Sequence, residues 1–274
     1  MAGFFGFFDY TKPGPGIPKD LPPKPPIVVF FGVLKRKFWN LIKINLLFTL
    51  FNLPAIIFAF FALQFMIPTL ISEDILIDSF FRFAIGSVFM AIPLITVGPA
   101  QAGLTFILRN YSREEHAFIW WDFKEHAIKN LKQSLIICFL DLIAIIIMSI
   151  SLNFYSSMVS ESFIYTAAFG VLALVFVLFF MMHLYIYPML VTFNLTIKQI
   201  YKNALIFSII KFLPNLLILI ISAAVSLIFF LNAVIGISLF VLLTNSLIGL
   251  IINFYANPII RKYMVKEDEE EDEN

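Results

Sequence analysis

Residues 212–260 read FLPNLLILIISAAVSLIFFLNAVIGISLFVLLTNSLIGLIINFYANPII, 49 positions without one Asp, Glu, Lys or Arg. About 20 apolar residues cover the ~30 Å hydrocarbon core of a bilayer. As one straight helix this stretch would be about 73 Å long at 1.5 Å per residue, so it has to turn back on itself. The sequence predicts the turn at Asn232 to Gly236, between spans Leu213–Leu231 and Val234–Ala256. Working outward, charge-free runs recur at 44–72, 83–108 and 162–197, and the run 133–160 holds only Asp141. The expected fold is therefore all-α: a polytopic transmembrane helix bundle of about six spans. The other four are Ile44–Ile67, Phe83–Leu108, Ser134–Phe154 and Phe163–Pro188.

Composition agrees. Hydrophobic residues are 61% of the chain and charged residues 14%, against roughly 45–50% and 25% in soluble domains. The net charge of +1 averages two unlike regions. Glu267–Glu273 is an unbroken acidic run, expected to be a disordered tail, and the remainder carries 19 basic and 11 acidic residues. Residues 1–26 form a Phe- and Pro-rich segment, and 27–266 a single transmembrane domain. Met1–Tyr10 has no basic region of the kind that opens a secretory signal, so insertion is expected to come from the internal helices.

Lys and Arg accumulate in cytoplasmic loops. Of the 19 basic residues, 18 fall before the first span, after the second, after the fourth or at the C-terminal end; Arg82 is the exception. A six-span chain then has both termini cytoplasmic. Bordering these loops, Ile27–Lys43, the segment after Ser112 and Ile197–Ser208 show apolar residues at spacings of three and four, the mark of amphipathic surface helices. Ser112-Arg113-Glu114-Glu115 fits a capping box at a helix start. Glu125 and Lys129 are spaced for an i,i+4 pair. Trp120, Trp121, Asp122, Phe123, Lys198 and Lys202 are the candidate docking residues of this cytoplasmic face. Its partners are expected to be the lipid bilayer and, less directly, another protein.

Polar residues inside the spans are the candidate functional ones. Asp141 is the acid set well inside an apolar run. A carboxylate there is costly, so it is expected to be protonated, paired or facing water. Its alternatives are a proton or ligand site and a hydrogen bond to an Asn of another helix. His183 is expected to bond between helices near the cytoplasmic end of the fourth span. Asn245, Gly249, Asn253 and Asn257 recur every fourth residue, a pattern that glues helices in lipid or lines a polar pathway opposite Asp141. Gln101 joins this polar set. Pro93, Gly98 and Pro99 should kink or break the second span, and broken helices form sites in some transporters. The lone Cys138 reads as a small packing residue. No GxSxG, HExxH, CxxC or phosphate-binding loop occurs, so no enzymatic activity, metal, cofactor or nucleic-acid partner is expected.

The start Gly3-Phe4-Phe5-Gly6-Phe7-Phe8-Asp9-Tyr10, the Gly98–Gly103 segment, and Arg109-Asn110-Tyr111 leading to Trp121-Asp122-Phe123 occur together. In these motifs, and over most of its length apart from the acidic tail, the chain resembles the YesL-like family of bacterial integral membrane proteins. The family's biochemical role is unassigned. Its members tend to be encoded beside carbohydrate ABC importers and polysaccharide-degrading enzymes. The resemblance therefore implies an accessory role in sugar uptake, with importer permease or ATPase subunits as partners. The alternative is a small-solute or proton-coupled transporter built on the polar intramembrane residues.

Overall fold

The computed structural model describes residues 25–58, 75–230 and 232–265, without the side chains of 75–77, 79–94, 228–230 and 233. Most of the Phe/Pro-rich start, residues 59–67 of the first expected span and the acidic tail lie outside these residues. The described chain is helical throughout, with no strand. The elements are α1 (Pro26–Phe51), α2 (Ile75–Ser112), α3 (Ile119–Lys129), α4 (Leu131–Met158), α5 (Phe163–Leu190), α6 (Ile197–Ile210), α7 (Phe212–Phe230), α8 (Ala233–Leu239), a π-helical turn (Phe240–Thr244) and α9 (Asn245–Met264).

Three stretches among the described residues are long and apolar enough to cross a membrane: α4, α5 and Val234–Met264. The bent pair α6–α7 makes a fourth if taken as one span. Exposed apolar side chains cover α4, from Ile136 through Ile143 and Ile147 to Ile150, and the first half of α5, where Phe163 is 85% exposed. The second half of α5 is buried from Leu184 to Leu190. Among the described residues the interior is thus concentrated toward one end of the helices. One core gathers Leu184, Ile186, Ile200, Ala204, Ala256 and Ile260. Another gathers Leu41, Ile44, Leu104, Leu108, Phe123 and Leu250.

Several expectations change here. The amphipathic segment 27–43 does not end before the first apolar run; α1 continues from it into that run as one helix, as far as Phe51. Helix α2 is likewise continuous from Ile75 to Ser112, through Pro93 and Gly98-Pro99, so these residues do not divide it. The glycines of this stretch serve close approach instead. A Cβ on Gly98 would stand 2.7 Å from the carbonyl oxygen of Ser134 on α4, and one on Gly103 would stand 2.6 Å from that of Phe123 on α3. Ser112 closes α2 rather than opening the next helix. Its hydroxyl donates to the carbonyl of Arg109. Glu114, at φ 60°, turns the chain out of the helix and pairs with Arg36 of α1. The start of α3 is fixed by Asp122, whose carboxylate accepts from the amide of Phe118 at 2.8 Å. A new helix begins within the expected turn, where the side chain of Asn232 caps α8.

Gly103→Ala is expected to destabilise the protein by about 1–3 kcal/mol, because the new methyl meets backbone that moves only if α3 moves. Gly170 has nothing within 4 Å of its Cβ position, so Gly170→Ala should be neutral or slightly stabilising. Thermal unfolding of both variants in detergent compares them. A Gly103→Ala protein as stable as wild type would contradict the α2–α3 contact.

Two asparagines hold the irregular backbone. Helices α6 and α7 meet at a 98° bend. The amide of Asn215 donates to the carbonyls of Phe207 and Ser208 at 3.0 and 3.3 Å, which satisfies acceptors left open where α6 ends. Its oxygen accepts from the hydroxyls of Tyr185 and Tyr255, each at 2.6 Å. Asn45 does the same for the π-helical turn. This fully buried side chain donates to the carbonyls of Phe240 and Val241 at 2.9 and 2.7 Å and accepts from the amide of Ser246 at 2.9 Å. A π-turn shifts hydrogen bonds out of the α-helical register, and α1 supplies the missing partners.

Candidate functional site

Asp141 lies on α4 where that helix passes α5 and α6. Its Oδ2 is 3.0 Å from Nε2 of His183 on α5, and the two side chains are 14% and 28% exposed. Its Oδ1 accepts from the hydroxyl of Tyr201 on α6 at 2.6 Å. Nδ1 of His183 is 2.8 Å from the carbonyl oxygen of Phe179. A carbonyl oxygen only accepts, so the network assigns a hydrogen to Nδ1. One further proton must then lie between Nε2 and Oδ2. It sits on the carboxyl beside a neutral ring, or on the ring beside a carboxylate. Both forms are neutral overall, which lets an acid remain in an apolar setting. Without that proton a carboxylate would face the lone pair of the ring.

The pair lies in the wall of an open cleft of about 510 Å³. Gln101 and Val97 of α2, Cys138 of α4 and Tyr187 of α5 share the wall with Asp141 and His183, and most of the remaining lining is apolar. Cys138 Sγ is 3.5 Å from the Tyr187 hydroxyl. A small-molecule site commonly joins apolar walls to a few convergent polar groups in ~300–1,000 Å³, and this cleft has that form.

Of the expected polar residues, the structure brings Asp141, His183 and Gln101 together. It does not bring the asparagines of α9 to them. Asn253 donates to the carbonyl of Gly249 at 2.8 Å. Asn257 donates to the Ser112 hydroxyl at 2.6 Å, tying α9 to the end of α2. Asn245 is half-buried, and its buried amide nitrogen is unbonded among the described residues. The stripe is a helix–helix contact, with Gly249 set against Leu108, and lines no path to Asp141. The partner of Asp141 is also not an asparagine. Tyr201 and Tyr187 belong to the site and were not singled out by the sequence. Tyr201 occupies an ordinary position in the apolar stripe of α6, a helix capped by the reciprocal Thr196–Gln199 box.

On the surface, Trp120 and Trp121 are exposed, and so are Lys198 and Lys202. Phe123 is not available for docking: it is fully buried against Gly103 and the Phe51 ring. Asp122 is occupied as the cap of its own helix. No group of three or more metal-binding side chains occurs among the described residues.

A family described as "Protein of unknown function, DUF624" matches residues 41–152. The matched part runs from α1 into α4 and includes Gly98, Gln101, Gly103 and Asp141, whereas His183 and Tyr201 lie beyond it. No curated protein and no solved structure matches the chain.

Proposed function

We propose that the chain is a six-span protein of the bacterial plasma membrane, with both termini cytoplasmic, that binds a small solute in the Asp141 cleft and couples its binding or passage to a proton. The observation that carries this reading is the Asp141–His183 pair, a one-proton site on the wall of a cleft large enough for a ligand. The orientation is supported by the placement of 18 of 19 basic residues under the positive-inside rule. The test is reconstitution of the full chain into liposomes under a pH gradient, with an internal pH-sensitive dye reporting proton entry. A panel of sugars and of small amphipathic solutes is added outside. Solute-dependent acidification supports the reading; vesicles indifferent to the whole panel oppose it.

A second reading is favoured by exposed Trp120 and Trp121 on α3 and by the resemblance to YesL-like proteins. In it the chain is an accessory or regulatory protein of a carbohydrate ABC importer, docked through this face. Co-purification with permease or ATPase subunits in mild detergent, lost in a Trp120→Ala/Trp121→Ala double variant, would mark it out from the first.

A further inference from the structure

We infer that the corner formed by α3, α4 and the turn after α5 is a binding site for a phosphate group. The cavity there is about 150 Å³, below the ~300 Å³ at which pockets for larger ligands begin, so a small group is what fits. Its polar wall comprises His126 and Lys129 of α3, Asn130 at the joint, Gln133 of α4, and Thr192 and Asn194 of the turn. No Asp or Glu lines it, which argues against a metal cation.

Positive charge reaches the cavity from several sides. Lys129 is exposed and in no ion pair among the described residues; the pair with Glu125 expected from spacing is not formed. The His126 ring stacks on Phe106, centroids 3.3 Å apart. The guanidinium of Arg109 lies over the same Phe106 ring at 4.4 Å. It donates to the Val191 carbonyl and the Thr192 hydroxyl at 2.9 and 3.3 Å, and both residues are in the cavity wall. Its other bonds go to Oδ1 of Asn110. Arg109 is thus a half-buried cation held by neutral oxygens. Burial first, and then repulsion by Arg113, push its pKa down to about 10, with Glu115 opposing. Burial likewise lowers the pKa of His126, where Lys129 and Arg109 act in the same direction and Glu125 and Asp122 against it. An oxyanion balances the two cations, Lys129 and Arg109, while a neutral His126 ring still offers an N–H.

Neutral donors complete the site. The amides of Asn130 and Gln133 each give one hydrogen to a backbone carbonyl, of His126 and Leu195 respectively. Each NH2 keeps a second hydrogen. Lys129, His126 and these amides together match a tetrahedral anion with several acceptor oxygens. The phosphate can come from a lipid headgroup or from a free phosphate. Trp120, Trp121 and Ile128, exposed on α3, are residues suited to headgroup depth, which brings lipid phosphates within reach.

Two measurements on the full chain separate the sources. Delipidated protein in a phosphate-free maltoside detergent is titrated with inorganic phosphate by calorimetry. In parallel, native mass spectrometry counts phosphatidylglycerol retained from mixed phosphatidylglycerol/phosphatidylcholine nanodiscs. Saturable phosphate binding assigns a free phosphate; retention of phosphatidylglycerol without phosphate binding assigns the headgroup. In either case Lys129→Gln should weaken binding about tenfold, as loss of one charge-assisted hydrogen bond does. Lys124→Gln, on the same helix but outside the wall, should not change it. Absence of both ligands, or binding indifferent to Lys129→Gln, overturns the inference.

Discussion

Asp141→Asn should reduce solute-driven proton entry into liposomes by about 100-fold or more while leaving the fold nearly as stable as wild type. The carboxamide has the shape of the carboxyl group. Its oxygen can accept from Tyr201, and its NH2 can donate to Nε2 of His183, whose Nδ1 is already committed to the Phe179 carbonyl. Every hydrogen bond is kept, and only the exchangeable proton is lost. Asp141→Leu separates the two effects, because it leaves Nε2 of His183 unpaired and the Tyr201 hydroxyl with only the Ile137 carbonyl at 3.5 Å, at a cost of about 1–3 kcal/mol each. Dye acidification reads the first variant and thermal unfolding the second. Undiminished flux in Asp141→Asn would remove the pair from the mechanism.

Asn45→Leu should be the most destabilising single change of similar volume, at about 3–5 kcal/mol. It strands two carbonyls of the π-helical turn and the Ser246 amide in the interior, each at about 1–3 kcal/mol before relaxation. Ser246→Ala removes only a hydroxyl bond to the Leu243 carbonyl and should cost about 1 kcal/mol or less. Unfolding midpoints of the two variants in detergent give the comparison. Equal midpoints would mean that the π-turn does not depend on α1.

What the sequence disclosed follows from which forces are local. Bilayer thickness imposes a length on apolar runs, so α4 and α5 lie within a few residues of their expected bounds. Asp141 stood out because a lone acid in such a run violates that constraint. Its partners did not, because Tyr201 is 60 positions away and nothing in the spacing of α6 says which neighbour a stripe residue will meet. The asparagines of α9 were legible as helix contacts, but the direction of that face is a tertiary property. The Ser112 box misled for a related reason. A Ser followed three residues later by Glu reads the same at either end of a helix, and here the left-handed turn at Glu114 decides for the end. The real box is Thr196 with Gln199, at the start of α6. The phosphate corner escaped because its polar residues come from two segments far apart in the chain, 126–133 and 192–194, and look solvated one by one.

The bonds of Asn45 also set an order of events. Its acceptors are 195 and 196 residues further along the chain. At roughly 5–20 residues per second the ribosome needs about 10 to 40 s to make them after Asn45 itself. For that interval α1 holds a carboxamide with no π-turn to serve. The bundle can close around its first helix only when the last apolar stretch has arrived, so a chain stopped short of Phe240 is left open at α1.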